Sequence, residues 1–399
     1  MLTRSSITLD IVEDIQILDS SKLTTPIQSD IQNFVQNLSD IDSTDDFYYQ
    51  KNSDNGCIIT YYDGNADEVI IPKSIDGLPV DSIGEEAFFY QKTLKNIIIP
   101  DGVTNIGKGA FEGCTSLVNI TIPDSVTTIG EGAFKGCTSL VNITIPDSVT
   151  TIDEEAFEGC MSLINITLPN TITKIKDNTF GCCEALTNIT IPDSVVSIGS
   201  GAFGLCSSLR SIIIPQNVTI IVFNAFDGCS SLEHFSVEPD NETYSSCDNI
   251  LFSKDGTELI KCLKIDESSY VIPNGVTTIS AFAFQECTSL KNIIFPESIS
   301  VIGGFAFAGC NALKIITIPD SVISIEGEAF CFCKSLADIS IPASVKKIGQ
   351  FAFKGCSEYL VIWGESDSYA CEYAKENNFK FMDKKKECFL FNKYFGGYM

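Results

Sequence analysis

Residues 117–139 read LVNITIPDSVTTIGEGAFKGCTS, and the hydrophobic period changes inside this one stretch. Ile120 and Ile122 alternate with Asn119 and Thr121, the two-residue rhythm of a short strand with one buried face. Pro123 ends that strand, because proline has no N–H to give the next ladder bond. Val126 and Ile129 carry the core past the turn, and Ala133, Phe134, Cys137 and Leu140 follow at spacings of one, three and three. That spacing predicts an apolar stripe on one or two helical turns. The unit reads as strand, turn, short helix.

The same unit recurs on both sides. A phenylalanine, usually preceded by alanine, stands at Phe88, Phe111, Phe134, Phe157, Phe180, Phe203, Phe226, Phe284, Phe307, Phe330 and Phe353. Every interval is 23 residues except Phe226 to Phe284, which is 58. A fixed period in this range marks a solenoid, in which each unit buries its apolar face only by stacking on its neighbours. Stacked coils place strand beside strand at ~4.8 Å as a parallel sheet. The fold class expected is an α/β solenoid: an arc with the parallel sheet on its concave face and short helical turns on its convex face. Residues 1–56 lack the period and read as an acidic, polar extension, 57–381 as the solenoid with a longer variant unit near 238–273, and 382–399 as a short basic and aromatic tail.

Composition narrows the function. The 399 residues carry 26 Lys and Arg against 52 Asp and Glu, a net charge of −26, with one histidine. So acidic a surface repels phosphate backbones and anionic lipid, which argues against nucleic-acid and membrane-surface partners. No apolar run is long enough for a transmembrane helix. Asp10, Glu13 and Asp14 interrupt what would be the apolar region of a signal peptide, so no conventional leader is expected.

The strand L-x-x-I-x-I-P, the block S-V-x-x-I-G-x-x-A-F and the closing G-C-x-S-L resemble the BspA-like leucine-rich repeats found in surface antigens and adhesin-like proteins. IIPKSIDGLPVDSIGEEAF from Ile70 is similar to the family's opening unit, YSSCDNILFSKDGTELIKCL from Tyr244 to its longer variant, and YACEYAKENNFKF from Tyr369 to its closing unit. The resemblance implies a leucine-rich-repeat arc, an interaction protein that binds a protein or glycan ligand on its concave face, no catalytic residues and no cofactor.

Ten cysteines, from Cys114 to Cys356, fall three residues after a marker phenylalanine. Equivalent side chains on neighbouring coils run parallel at ~4.8 Å, wider than the Cβ spacing of a disulfide. Cysteine as a small buried filler is the stronger reading, with no metal site expected. GVTNIGKG at 102–109 follows a phosphate-loop pattern only up to the lysine, and GSGAFG at 199–204 matches G-x-G-x-x-G. Both fall on the I-G-x-x-A-F stretch of the repeat, where glycine serves a turn. No Ser–His–Asp or Cys–His constellation supports catalysis.

The outward strand positions are the candidate binding strip. One row runs Asn119, Asn142, Asn165, Asn188 and, further on, His234; the other runs Thr121, Thr144, Thr167, Thr190 and Ile213. Two readings stay open: a solvated face repeated by duplication of the unit, and a docking strip for an extended ligand. Each of the four asparagines begins N-I-T, a glycan acceptor sequence, and glycans on adjacent coils would crowd one another. With unpaired thiols this favours a reducing, cytoplasmic setting, whereas the resemblance points to the cell surface. The alternative function is an intracellular scaffold that selects partners through its terminal extensions.

Overall fold

A computed structural model describes residues 46–222, 224–262 and 268–384. The chain forms two compact units, one ending at Ser194 and the other beginning at Val195. Each is a stack of coils with two parallel ladders.

In the first unit, the I-x-I segments form one ladder. Glu68–Ile70, Asn96–Ile98 and Asn119–Thr121 pair in parallel, as do Asn142–Thr144 and Asn165–Thr167, each residue opposite its equivalent one coil on. Burial alternates exposed, buried, exposed along Asn119–Thr121, as the two-residue rhythm requires. The second ladder was not anticipated. It joins Leu78–Ile83, Asn105–Ile106, Thr128–Ile129 and Thr151–Ile152 in parallel. Two-residue strands are too short to show a period, so Val126 and Ile129 read only as further core. At the start of this ladder Phe47–Lys51 pairs antiparallel with Cys57–Tyr62, and Cys57–Tyr62 pairs parallel with Leu78–Ile83. A strand therefore occupies part of the segment that the sequence presents as an extension; residues 1–45 lie outside the described residues.

The second unit repeats the plan with one interruption. Tyr244–Cys247, Ile250–Ser253 and Glu258–Cys262 form an antiparallel meander, the longer variant unit. The parallel ladder resumes from Glu258–Cys262 through Thr278–Ile279, Val301–Ile302 and Ser324–Ile325 to Lys347–Ile348. Asn241 anchors the entry to the meander. It is fully buried; its amide donates to the Pro215 and Val218 carbonyls at 2.8 and 3.0 Å, and its carbonyl oxygen accepts from the Thr243 and Tyr244 N–H groups at 2.8 and 2.7 Å. The closing unit carries Tyr369–Glu376, the one α-helix among the described residues, whose Ala370, Cys371, Tyr373 and Ala374 are buried.

Among the described residues the other side of the coils carries chained turns in place of the expected helical turns, and the hydrogen bonds explain why. Ala133, Lys135 and Cys137 donate back three residues, to Gly130, Gly132 and Phe134. Between them Gly132, Phe134 and Gly136 donate to the next coil, to Glu154, Ala156 and Glu158 at 2.9, 2.8 and 2.7 Å. A helix would direct all six inward. Left-handed backbone at Gly132 (φ 60°) and Gly136 (φ 70°) resets the chain after each turn. Spacings of one, three and three fit such chained turns as well as a helix.

The core is a column of rings. Phe88, Phe111, Phe134 and Phe157 are fully buried, and successive centroids lie 5.1, 5.4 and 5.3 Å apart. In the second unit Phe284, Phe307, Phe330 and Phe353 stack at 5.0, 5.1 and 5.6 Å. In the first unit Tyr62 continues the stack on Phe88 at 5.2 Å and Phe47 lies tilted against Tyr62; in the second, Tyr373 meets Phe353 edge-on. Edge-to-face geometry at Phe353 suits a terminus, since it covers the last ring without offering a further stacking face.

Candidate binding face

The first ladder presents the candidate strip. Asn119, Thr121, Asn142, Thr144, Asn165 and Thr167 are exposed on strands of three residues whose middle isoleucine is buried. Asn142 lies opposite Asn165 and Thr144 opposite Thr167, so the amides form one row and the hydroxyls another. The amide row is laterally bonded: Asn119 donates to the Asn96 carbonyl oxygen at 3.0 Å and Asn165 to that of Asn142 at 3.2 Å. Each amide group keeps a second N–H and a second lone pair for the outside. Asn188 and Thr190 are also exposed.

The second unit's outward strand positions are of a different character. Ile213 is 57% exposed and lies opposite Ser236, with His234 exposed beside it opposite Ser211. Val271, opposite Ile294, and Ile315 on a later coil leave 60%, 55% and 62% of their surface open. Trp363 extends the hydroxyl row: it lies opposite Ser340, and its indole N–H donates to the Asp338 carboxylate at 2.8 Å. The sequence reading omitted Trp363, although it stands 23 residues after Ser340 and the period could have found it.

The cysteines are accounted for by packing. In the first unit the thiols of Cys114, Cys137, Cys160 and Cys183 donate to the carbonyls of Phe88, Phe111, Phe134 and Phe157 at 3.0–3.3 Å. Burial pushes the Cys114 thiol up to about 12 and raises Cys137 and Cys160 well above the ordinary thiol value. Each thiol is a neutral donor to a ring-bearing residue one coil back. Among the described residues no group of three His, Cys, Asp or Glu side chains is placed to hold a metal ion.

The phosphate-loop likeness also dissolves. A Cβ at Gly107 would lie 2.7 Å from the Gly84 carbonyl carbon, and one at Gly130 2.8 Å from that of Gly107. Glycine is required there by the approach of successive coils. No helix is long and apolar enough to cross a membrane among the described residues.

These features define a parallel β-solenoid of the leucine-rich-repeat class. A family model described as the BspA type leucine-rich repeat region matches residues 60–162, 81–184, 127–255 and 261–379, and the chain belongs to that family. A leucine rich cell surface protein from Faecalibacterium prausnitzii is 35% identical, with a TM-score of 0.69 over 84% of this chain and 98% of that one. A leucine-rich repeat protein from Bacteroides ovatus is 29% identical, with a TM-score of 0.57 over 86% and 99%. The pneumococcal vaccine antigen PcpA shares the fold at 20% identity, with a TM-score of 0.58 over 86% and 98%. No relative was found among curated protein sequences.

Proposed function

We propose that the chain is a non-enzymatic, adhesin-like interaction protein that binds a protein or glycan ligand on the sheet face of its coils. One observation carries this reading: in Asn119–Thr121, Asn142–Thr144 and Asn165–Thr167 the outward side chains are all uncharged hydrogen-bonding groups, on a chain whose net charge is −26. An uncharged strip lets an uncharged, extended ligand exchange its water for amide and hydroxyl hydrogen bonds without the cost of desolvating a carboxylate. Equivalent groups at one-coil intervals let weak contacts add along such a ligand. The surface location named for the Faecalibacterium relative agrees with this role.

The test is a binding screen of the full chain against purified proteins and glycans, repeated with Thr144→Lys on the face and Met161→Lys on the turn side. Met161 is 47% exposed, so a lysine there can keep its ammonium in water. A ligand bound by the face loses at least about tenfold affinity with Thr144→Lys, roughly one lost good contact, and keeps it with Met161→Lys. Equal binding by both variants rejects the face.

A further inference from the structure

In the second unit one pair of cysteines departs from the thiol ladder. Cys310 and Cys333 follow the rule and donate to the Phe284 and Phe307 carbonyls, both at 3.0 Å. Cys287 occupies the same slot one coil earlier, but its sulfur lies 3.8 Å from that of Cys262. The cause is a substitution in the ring column. Cys262 donates its N–H to the Ala283 carbonyl at 2.7 Å, as Phe284 does to Ala306 at 2.7 Å, so Cys262 holds the position that a stacked phenylalanine holds elsewhere. A thiol where a ring belongs brings two non-equivalent positions of adjacent coils into contact. The parallel geometry that keeps ladder cysteines apart does not govern this pair.

Its surroundings differ too. Cys262 is 3% exposed, while Cys287 is half-buried. The Lys261 ammonium, itself buried, is held by Asp227 at 2.7 Å and by the Phe282 carbonyl at 3.1 Å. The hydrogen bond from Cys262 and the Lys261 charge hold the Cys287 thiol below its ordinary value, and the bond to Cys287 with burial drives Cys262 well above it. Cys287, the more exposed of the two sulfurs, is the one a peroxide reaches first, and buried Cys262 is the resolving thiol.

We propose that Cys262 and Cys287 form a reversible redox pair that closes to a disulfide on exposure to a peroxide. The Cys287 thiolate attacks one peroxide oxygen; the O–O bond breaks, the leaving oxygen departs as water after taking a proton, and Cys287 becomes a sulfenic acid. The Cys262 sulfur then attacks the Cys287 sulfur; the S–S bond forms, the S–O bond breaks, and the hydroxyl leaves as water with the Cys262 proton. Two thiols lose two electrons and one hydrogen peroxide becomes two waters. The sulfurs approach from 3.8 Å to about 2.05 Å. The bridge spans the junction where the ring column is interrupted.

The full chain is treated with hydrogen peroxide, its remaining thiols are alkylated, and unreduced peptides are mapped by mass spectrometry. The expected result is a linked pair of peptides containing Cys262 and Cys287, removed by dithiothreitol and absent from Cys287→Ser. In Cys262→Ser, checked for native circular dichroism, dimedone is expected to trap a sulfenic acid at Cys287. Linkage of Cys262 to Cys287 no more frequent than linkage of Cys310 to Cys333 overturns the proposal, and so does a Cys287 that dimedone leaves unmarked in a folded Cys262→Ser.

Discussion

The rings of Phe134 and Phe157, 23 residues apart in sequence, stack 5.3 Å apart and 7° from parallel. Each also donates its N–H to the next coil, at the carbonyls of Ala156 and Thr179. One residue type per coil thus supplies both a ring for the column and a rung for the turn side.

Removing one ring leaves a void between two rigid neighbours, which backbone ladders on both sides prevent from collapsing. Phe134→Ala is expected to cost ~3–5 kcal/mol, read as a lowered urea midpoint. Phe47→Ala, at the half-buried end of the column, is expected to cost less.

The reading of the sequence succeeded where one residue type repeated at constant spacing, and failed where the spacing did not encode the geometry. The phenylalanine period gave the coils, and Ile120 with Ile122 gave the first ladder. Thr128–Ile129 was invisible as a strand because two residues cannot alternate. Ala133, Phe134 and Cys137 were assigned to a helix because chained turns share its spacing. Gly132 and Gly136, both left-handed, were the signal against that assignment. On the strip, positions were legible but chemistry was not: lateral bonding of Asn119 to Asn96 depends on register between coils.

Asn241 tests the variant unit. Asn241→Ala removes four hydrogen bonds made by a fully buried side chain, depriving the Val218 carbonyl and the Thr243 and Tyr244 N–H groups of this partner, while the Pro215 carbonyl keeps the Val218 N–H at 3.3 Å. A loss of at least ~2 kcal/mol is expected. Amide exchange should quicken over Tyr244–Cys262 before it does over Asn292–Ile362.

Thiol labelling tests the ladder. Cys247 is exposed, and Cys137 and Cys160 are buried with their thiols donating to Phe111 and Phe134. Under native conditions a maleimide is expected to mark Cys247 before Cys137 and Cys160, which it reaches only under unfolding conditions. Peptide mapping distinguishes them.

Acid sensitivity has a local source on the turn side of the first unit. Lys135 contacts Glu155 at 2.5 Å and Glu158 at 2.6 Å, and the hydrogen bond from Lys135 holds the Glu155 carboxyl below its ordinary value of 4.5. A depressed carboxyl stabilises the fold fully above its unfolded value, and the contribution is lost as pH falls from there through the folded value. Urea midpoints should therefore fall on acidification below about 4.5 in the native chain and fall less steeply in Lys135→Met. The pair is partly exposed, so the variant's cost at neutral pH should stay under ~1 kcal/mol.

In-register stacking of interchangeable coils is tested most directly by excising one. Deleting residues 119–141 removes one period of 23 and joins Val118 to Asn142, restoring the repeat, whereas deleting 119–130 breaks register. The 119–141 deletion should yield a folded chain with native-like circular dichroism and a cooperative, modestly lowered melt, while the shorter deletion unfolds. A 119–141 deletion that is unfolded, or no more ordered than the shorter one, would contradict the account.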